Sequence, residues 1–155
     1  MDVAKIMEQA RQEMEWHDVA AVFPLMDEDA LQILSDDIER EGLQEPVLTT
    51  IGEDGVEVVV DGRNRQMACI AAGVNPIYQR IDDDDDKMER DELASRIWSL
   101  NFARRHLTPS QLGMAAAEMR KYLSGTIPQA AAVTGASQRN TERACLLYTS
   151  DAADE

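Results

Sequence analysis

The fold is decided by the stretch Val58-Val59-Val60-Asp61-Gly62-Arg63-Asn64-Arg65-Gln66-Met67-Ala68. An apolar β-branched run stops at Asp61 and Gly62, and a helical pattern follows at once with two arginines in its first turn. Gly62 lets the backbone approach a ligand closely, the helix start offers unpaired N–H groups, and Arg63 and Arg65 add positive charge. This combination predicts a site for an anion, in particular phosphate.

The two arginines also have a structural interpretation. Positive charge in the first turn is otherwise unfavourable, because the N-terminus of a helix already carries about half a positive charge. Arg63 and Arg65 could instead pair with neighbouring carboxylates, since the chain has 30 Asp and Glu against 15 Lys and Arg. Both interpretations stay open from this stretch alone.

Charge is distributed unevenly along the 155 residues. Residues 1–95 contain 8 Lys and Arg against 25 Asp and Glu, a net charge of −17, whereas residues 96–144 contain 7 against 2, a net charge of +5. The last 11 residues contribute −3. The pattern predicts an acidic body followed by a basic module, and any contact with DNA phosphates is expected of the second part.

Composition excludes several classes of protein. No apolar run approaches the roughly 20 residues of a membrane span, and the N-terminus lacks the apolar region of a signal peptide. The two cysteines, Cys69 and Cys145, have neither metal-ligand spacing nor a disulfide framework. Consecutive carboxylates, such as the five at 82–86, are expected to point in several directions, which favours a solvated loop over a metal site. We therefore expect a cytoplasmic protein with no membrane partner and no metal site.

The remaining patterns predict an α/β body followed by helices. In the body we expect helices at 3–15, 28–41 and 63–72, a hairpin of strands at 47–51 and 56–60, a strand at 76–81 and an edge strand at 20–23. Helices are then expected at 88–102 and from Thr108 and Pro109, an N-cap and N1 pair, to about residue 124.

Residues 127–144 have the layout of a helix-turn-helix. A short Ala-rich helix leads to Gly135 at the turn, with Ala131 four residues earlier, where close packing demands a small side chain. Ser137 then caps a polar helix. Four of its side chains are of the types that bind base edges and phosphates in DNA: Gln138, Arg139, Asn140 and Arg143. The usual branched apolar residues of the second helix are absent, so a plain helical hairpin remains the alternative.

Three boxes precede this layout in a characteristic order. They are Gly42-Leu43-Gln44-Glu45-Pro46-Val47, then residues 61–68, then Asn101-Phe102-Ala103-Arg104-Arg105. In order and spacing the chain resembles the ParB/sulfiredoxin-like superfamily, and within it the ParB-like N-terminal domains of plasmid, phage and integrative-element proteins. The resemblance covers residues 17–144.

The resemblance implies a small α/β domain with a mixed sheet at 17–102, preceded by a helix at 1–16 and followed by a helical segment with a helix-turn-helix at 103–144. It implies a nucleoside triphosphate, CTP, with Mg²⁺ as a possible companion ion. The residues that it assigns to nucleotide and phosphate are Gly62, Arg63, Asn64, Arg65, Asn101, Arg104 and Arg105. The partners that it implies are DNA, a second copy of the chain and a partition ATPase.

The expected function is therefore that of a DNA-binding regulator or plasmid partition-type adaptor, acting in partition or transcription regulation, with the nucleotide as a switch. The acidic residue that usually precedes the third-box asparagine is Leu100 here, so we expect at most a slow NTPase. Sulfiredoxins use a cysteine in the turn of the second box, where this chain has Arg63, so we do not expect a sulfiredoxin. The alternative is a phosphotransferase or NTPase of the same superfamily that acts without DNA.

Residues 145–155 look like the in-frame translation of a transposase adapter used in sequencing libraries. We expect this tail to be non-native and the natural protein to be longer, with further DNA-binding and dimerisation parts. The alternative is a genuine helix end with an acidic tail.

Overall fold

The computed structural model describes residues 1–52, 54–82, 90–102, 108–122 and 126–151. The chain divides into two compact units, unit 1 (Met1–Lys87) and unit 2 (Met88–Glu155). Unit 1 combines helices with a small mixed sheet, and the described part of unit 2 is helical. The predicted fold class is confirmed.

Unit 1 is built on a three-stranded sheet with the order β2-β1-β3. Its elements in chain order are α1 (Val3–Glu13), α2 (Asp18–Ala21), α3 (Glu28–Glu41), β1 (Val47–Ile51), β2 (Glu57–Asp61), α4 (Arg63–Ala72) and β3 (Tyr78–Arg80). The predicted hairpin of β1 and β2 is present, with Thr49 opposite Val59 in an antiparallel pair. β3 runs parallel to β1 and is shorter than predicted.

The prediction of an edge strand at 20–23 is wrong, because a short helix, α2, occupies residues 18–21 instead. The Nδ1 atom of His17 accepts a hydrogen bond from the N–H of Val19 at 3.1 Å and so caps this helix. Asp18 then places a negative charge in its first turn, where the helix dipole favours it. Capping at residues 17 and 18 therefore favours a helix more strongly than the apolar run at 20–23 favours a strand.

The edge of β2 is covered by the residues that follow α1. Trp16 bridges to Val59 in a parallel sense. The N–H of His17 donates to the carbonyl of Val59 at 2.9 Å, and the N–H of Val59 donates to the carbonyl of Glu15 at 2.8 Å. Because Glu15 joins the sheet, α1 ends at Glu13, earlier than its apolar periodicity predicted.

A buried amide joins the helices to this edge. Gln66 on α4 is fully buried, and its Oε1 accepts from the indole N–H of Trp16 at 2.7 Å. The two hydrogens on its Nε2 are shared among three acceptors, the carbonyls of Ala10 at 2.9 Å and Met14 at 3.3 Å and the hydroxyl of Tyr78 at 3.1 Å. One side chain thus connects α1, the Trp16 edge, α4 and β3.

Apolar side chains from α1, α3, α4 and the sheet surround this network. The buried members of the cluster are Ala10, Trp16, Leu31, Ile38, Val47, Val59, Met67, Ala68 and Cys69. α3 presents Leu31 and Ile38 at helical spacing, as its sequence predicted. Asp27 caps it by accepting from the N–H of Ala30 at 2.8 Å, and it ends at Gly42.

Unit 2 has four helices among its described residues. They are α5 (Arg90–Phe102), α6 (Pro109–Tyr122), α7 (Ile127–Thr134) and α8 (Gln138–Asp151). Before α6, the backbone N–H of Thr108 donates to the Gln111 side chain at 2.9 Å, and the N–H of Gln111 donates back to the Thr108 hydroxyl at 3.3 Å. Such reciprocal capping fixes where a helix starts. None of the described helices is long and apolar enough to cross a membrane.

α6 and α8 approach each other closely at a glycine. A Cβ atom added to Gly113 would lie 2.9 Å from the carbonyl oxygen of Asn140 and 3.0 Å from its Cβ. Only glycine leaves room for the backbone of α8 at this point. The sequence analysis did not identify Gly113 as a packing position. A glycine inside a helical pattern does not indicate which other helix packs against it.

Replacing Gln66 with alanine should lower the free energy of unfolding by about 2–4 kcal/mol, because it leaves the buried indole N–H of Trp16 without its acceptor and opens a cavity. Urea denaturation would measure the loss. Gln32→Ala is the matched control, since Gln32 is exposed on α3 and bonds only to Asp36 among the hydrogen bonds described for it. Equal stabilities of the two variants would show that the network contributes nothing.

Candidate functional site

The predicted anion site lies where β2 turns into α4. Gly62 is the N-cap of α4, with a left-handed conformation of φ 94° and ψ 20°, and as a glycine it supplies no side-chain hydrogen bond to this helix end. A Cβ atom at this position would lie 2.9 Å from Nη2 of Arg65 and 3.2 Å from Cα of Val47. The positive φ favours glycine, and a Cβ atom would also crowd the backbone of Val47 and the arginine that folds over the turn.

Arg63 points into the fold. Its side chain is buried, with 6% of the residue exposed, and it donates a hydrogen bond to the carbonyl of Phe23. The guanidinium carbon lies 5.1 Å from the centre of the Trp16 ring, within the range of a cation–π contact. This arginine positions the start of α4 against the segment that precedes α3.

Asn64 binds the same segment. It is 9% exposed, and its Oδ1 accepts from the N–H of Met26 at 3.2 Å. Arg63 and Asn64 together attach the first turn of α4 to residues 23–26. Both side chains therefore have structural partners in unit 1.

Arg65, in contrast, forms ion pairs with two carboxylates. Its Nη1 lies 3.1 Å from Oε2 of Glu45, and its Nη2 lies 3.1 Å from both Oδ2 of Asp61 and the carbonyl oxygen of Pro46. The Arg65 side chain is 17% exposed and that of Asp61 9%, whereas that of Glu45 is 63% exposed. The buried Nε of Arg65 has no hydrogen-bond partner among the described residues.

The structure thus agrees in part with the interpretation that the two arginines pair with neighbouring carboxylates. Arg65 pairs with two carboxylates, as that interpretation expected, whereas Arg63 bonds to a backbone carbonyl and an aromatic ring. Sequence reasoning had not identified Asp61 and Glu45 as the particular carboxylates that pair with Arg65. Their positions inside the first and second boxes were the available signal, because each box brings one carboxylate close to the junction.

Cys69 is packed inside unit 1 on α4. Its side chain is fully buried. Burial raises the pKa of the thiol from 9.0 to about 11, the negative charge of Glu13 adds to the rise, and the positive charge of Arg65 opposes it. A thiol that stays protonated at neutral pH is a poor nucleophile, which supports a packing role for this cysteine.

The predicted third-box residues belong to unit 2 or lie outside the described residues. Asn101 on α5 is buried, and its Nδ2 donates to the carbonyl of Ile97 in the same helix at 2.9 Å. Arg104 and Arg105 lie outside the described residues, as do most of the acidic run at 82–86 and the end of the tail. The structure therefore brings together Gly62, Arg63, Asn64 and Arg65 at one junction in unit 1.

The predicted DNA-binding residues lie on α8, after the turn that follows α7. Gly135 ends α7 in the left-handed conformation, with φ 69°, and the hydroxyl of Ser137 accepts from the N–H of Asn140 at 3.2 Å to start α8. Arg139 and Arg143 are exposed. Two helices joined by this short turn thus present two arginines on the second helix.

The two other predicted side chains on α8 have contacts within unit 2. Gln138 is exposed, and its Nε2 lies 3.0 Å from a carboxylate oxygen of Glu142. Asn140 is half-buried, and its Nδ2 donates to the carbonyl of Pro109 at 3.3 Å. Asn140 is therefore committed to the contact between α8 and the start of α6.

The part of the chain that the structure describes contains no group of three or more His, Cys, Asp or Glu side chains arranged to hold a metal ion. The carboxylates at the junction, Asp61 and Glu45, both face Arg65.

Comparison with known proteins gives matches among solved structures only. No protein-family model and no curated protein matches the chain. The C-terminally truncated chromosome-partitioning protein ParB from Caulobacter crescentus, complexed with CTP-gamma-S, is 19% identical with a TM-score of 0.44, over 76% of this chain and 64% of that one. The same protein complexed to the centromeric parS site is 17% identical with a TM-score of 0.47, over 79% and 61%.

This chain thus spans less than two thirds of the length of either ParB chain. The identities and TM-scores are low, so the function must be argued from the chain's own residues.

Replacing Gly62 with alanine should destabilise unit 1 more than the same change at Gly73, the C-cap at the other end of α4. Both glycines have positive φ, but a Cβ at Gly73 would meet nothing within 4 Å. The difference between the two losses in free energy of unfolding measures the steric clash with Arg65 and Val47. This clash should add roughly 1–3 kcal/mol to the loss for Gly62→Ala. Urea denaturation of the two variants measures it, and equal losses would mean that Arg65 does not lie over Gly62.

Proposed function

We propose that this chain is a DNA-binding regulator or partition-type adaptor whose unit 1 binds a nucleoside triphosphate, CTP in particular, as a switch. The observation that carries the proposal is the β2–α4 junction. There α4 begins at a left-handed glycine, which has no side chain to cap the helix, and an arginine lies over the glycine. The junction falls inside the second of three boxes that resemble the ParB-like domains.

The electrostatics of the junction support a phosphate ligand. The first N–H groups of a helix have no partner within the helix, and the helix dipole adds partial positive charge at the same end. Arg65 has its guanidinium at this end, and its side chain retains some exposure. An anion at the N-terminus of α4 would meet backbone donors and an arginine together.

The two arginines of the box then have different roles. Arg65 is the phosphate contact, because its present partners include the exposed carboxylate of Glu45, which a ligand can displace. Arg63 and Asn64 are positioning residues, because their side chains hold the first turn of α4 against residues 23–26. Further contacts from Asn101, Arg104 and Arg105 remain part of the proposal on the strength of the third box alone.

A nucleoside triphosphate should bind to the wild-type chain and bind about ten- to hundredfold more weakly to Arg65→Gln, because the loss of a charge-assisted contact costs roughly 1.5–3 kcal/mol. Calorimetric titration with each of the four ribonucleoside triphosphates would measure this. Arg40→Gln is the matched control, since Arg40 is exposed on α3 and pairs with Asp37 and Glu41. Absence of binding by the wild type, or equal binding by Arg65→Gln, contradicts the proposed site.

The DNA-binding part of the proposal rests on α7 and α8. A short helix, a turn with a left-handed glycine and a capped second helix form the layout of a helix-turn-helix. Arg139 and Arg143 are exposed on the second helix, four residues apart and therefore on one face. Of the three parts 1–95, 96–144 and 145–155, they belong to the one with a net positive charge, residues 96–144.

Binding to duplex DNA should be weak and lost as salt rises, because the acidic residues 1–95 oppose it. Contact with three or four phosphates predicts a slope of roughly −3 to −4 for log K against log salt. Arg139→Ala with Arg143→Ala should make the slope shallower by about 2. Fluorescence anisotropy across a salt series measures both.

The control for this measurement removes two positive charges from unit 1 instead, as Lys5→Ala with Arg40→Ala, which should leave the slope unchanged. If both double variants change the slope equally, the binding is non-specific attraction and α8 is not the surface. No binding to any duplex at low salt would count against the helix-turn-helix.

The enzyme alternative is favoured by one observation, that the carboxylates of Glu45 and Asp61 lie at the junction, each 3.1 Å from Arg65. A carboxylate there could accept a proton from an attacking hydroxyl group. Release of phosphate from the bound nucleotide, with Mg²⁺ and without DNA, would favour this alternative over the adaptor.

A further inference from the structure

The ion pair between Arg65 and Glu45 connects the candidate site to another part of unit 1. Glu45 and Pro46 belong to the α3–β1 connection, residues 42–46, whereas Arg65 lies in the first turn of α4. Arg65 holds this connection through the Glu45 carboxylate and the Pro46 carbonyl, both at 3.1 Å. Anything that changes the partners of Arg65 therefore acts on the connection as well.

The partners of Arg65 differ in how easily they can leave. Asp61 is the last residue of β2, and its side chain is nearly buried, with 9% exposed. Glu45 lies in a connection, and its side chain is 63% exposed, so that its carboxylate can return to water at little cost. Exposed ion pairs contribute at most about 1 kcal/mol, so a multiply charged anion can compete with this one.

We propose that Glu45 is a built-in competitor of the phosphate ligand, and that the exchange of its carboxylate for phosphate on Arg65 releases the α3–β1 connection. This inference rests on the proposed function, since it assumes that an anion binds at the N-terminus of α4. It adds a consequence of binding: the occupied site loosens the residues that join α3 to the sheet.

The ends of the connection are fixed independently of Arg65, which confines the release to its middle. Gln44 donates from Nε2 to the carbonyls of Glu41 at 2.7 Å and Gly42 at 3.3 Å, which closes the C-terminus of α3. At the other end, the N–H of Val47 donates to the carbonyl of Ile77 at 2.8 Å. The backbone between these two anchors is the part that Glu45 attaches to α4.

The first test compares affinities of Glu45→Gln and Glu41→Gln with the wild type, using CTP and inorganic tripolyphosphate as probes in calorimetric titrations. Glu41 is the matched control: its side chain is 59% exposed, it loses the same charge, and it pairs with Arg40 instead. Glu45→Gln should bind both probes roughly two- to fivefold more tightly than Glu41→Gln does. Tripolyphosphate separates the anion contact from recognition of the base.

The second test measures hydrogen exchange in peptides that cover residues 42–46 without ligand and with saturating CTP. Glu45→Gln alone should raise exchange there, Glu41→Gln should not, and CTP should raise it in the wild type. Exchange in peptides from α3 should stay unchanged, because its capping contacts do not involve Arg65.

The outcomes separate this inference from the proposed function. If the wild type binds CTP and Glu45→Gln binds no more tightly than Glu41→Gln, the competitor role is overturned and the nucleotide site stands. If neither the wild type nor any variant binds either probe, both the proposed nucleotide site and the competitor role of Glu45 are wrong. Unchanged exchange at 42–46 in ligand-free Glu45→Gln overturns the release on its own.

Discussion

The buried amide of Gln66 is the interaction on which unit 1 depends. It accepts from Trp16 and donates to the end of α1 and to Tyr78 of β3, so four segments share one side chain. A buried amide with donors and acceptors all matched favours one arrangement over others, because any alternative packing would leave polar atoms unsatisfied. Burial raises the pKa of Tyr78 to about 12, the hydrogen bond from Gln66 opposes the rise, and Glu13 adds to it.

The candidate site uses the turn that this network holds in place. Gln66 follows directly after Arg65, and its bonds fix the rotation of α4 about its axis. With that rotation set, Arg63 faces the Trp16 ring and Arg65 faces the α3–β1 connection. Two arginines two residues apart on a helix point in different directions, which is why one serves packing and the other is available for exchange of partners.

Charge separates the two proposed activities along the chain. Residues 1–95 carry a net charge of −17, which opposes the approach of anions, so the proposed phosphate site depends on the local positive charge at the N-terminus of α4. Residues 96–144 carry a net charge of +5, which would favour the proposed contact between a helix such as α8 and a polyanion such as DNA. The pairing of Arg65 with Glu45 and Asp61 neutralises the arginine, and in the proposed function a phosphate ligand would replace Glu45.

The sequence by itself determined the local structure: the β1–β2 hairpin, the change from strand to helix at Gly62, the capped starts of α3 and α6, and the turn at Gly135. Each rests on signals a few residues apart, such as β-branched runs, capping side chains and glycines at positive φ. The hydrogen bond from Trp16 to Gln66, the inward Arg63 and the pairing of Arg65 with Glu45 were decided by the tertiary structure. These contacts join residues 50, 40 and 20 positions apart in the chain, and local patterns do not encode which distant partner a side chain meets.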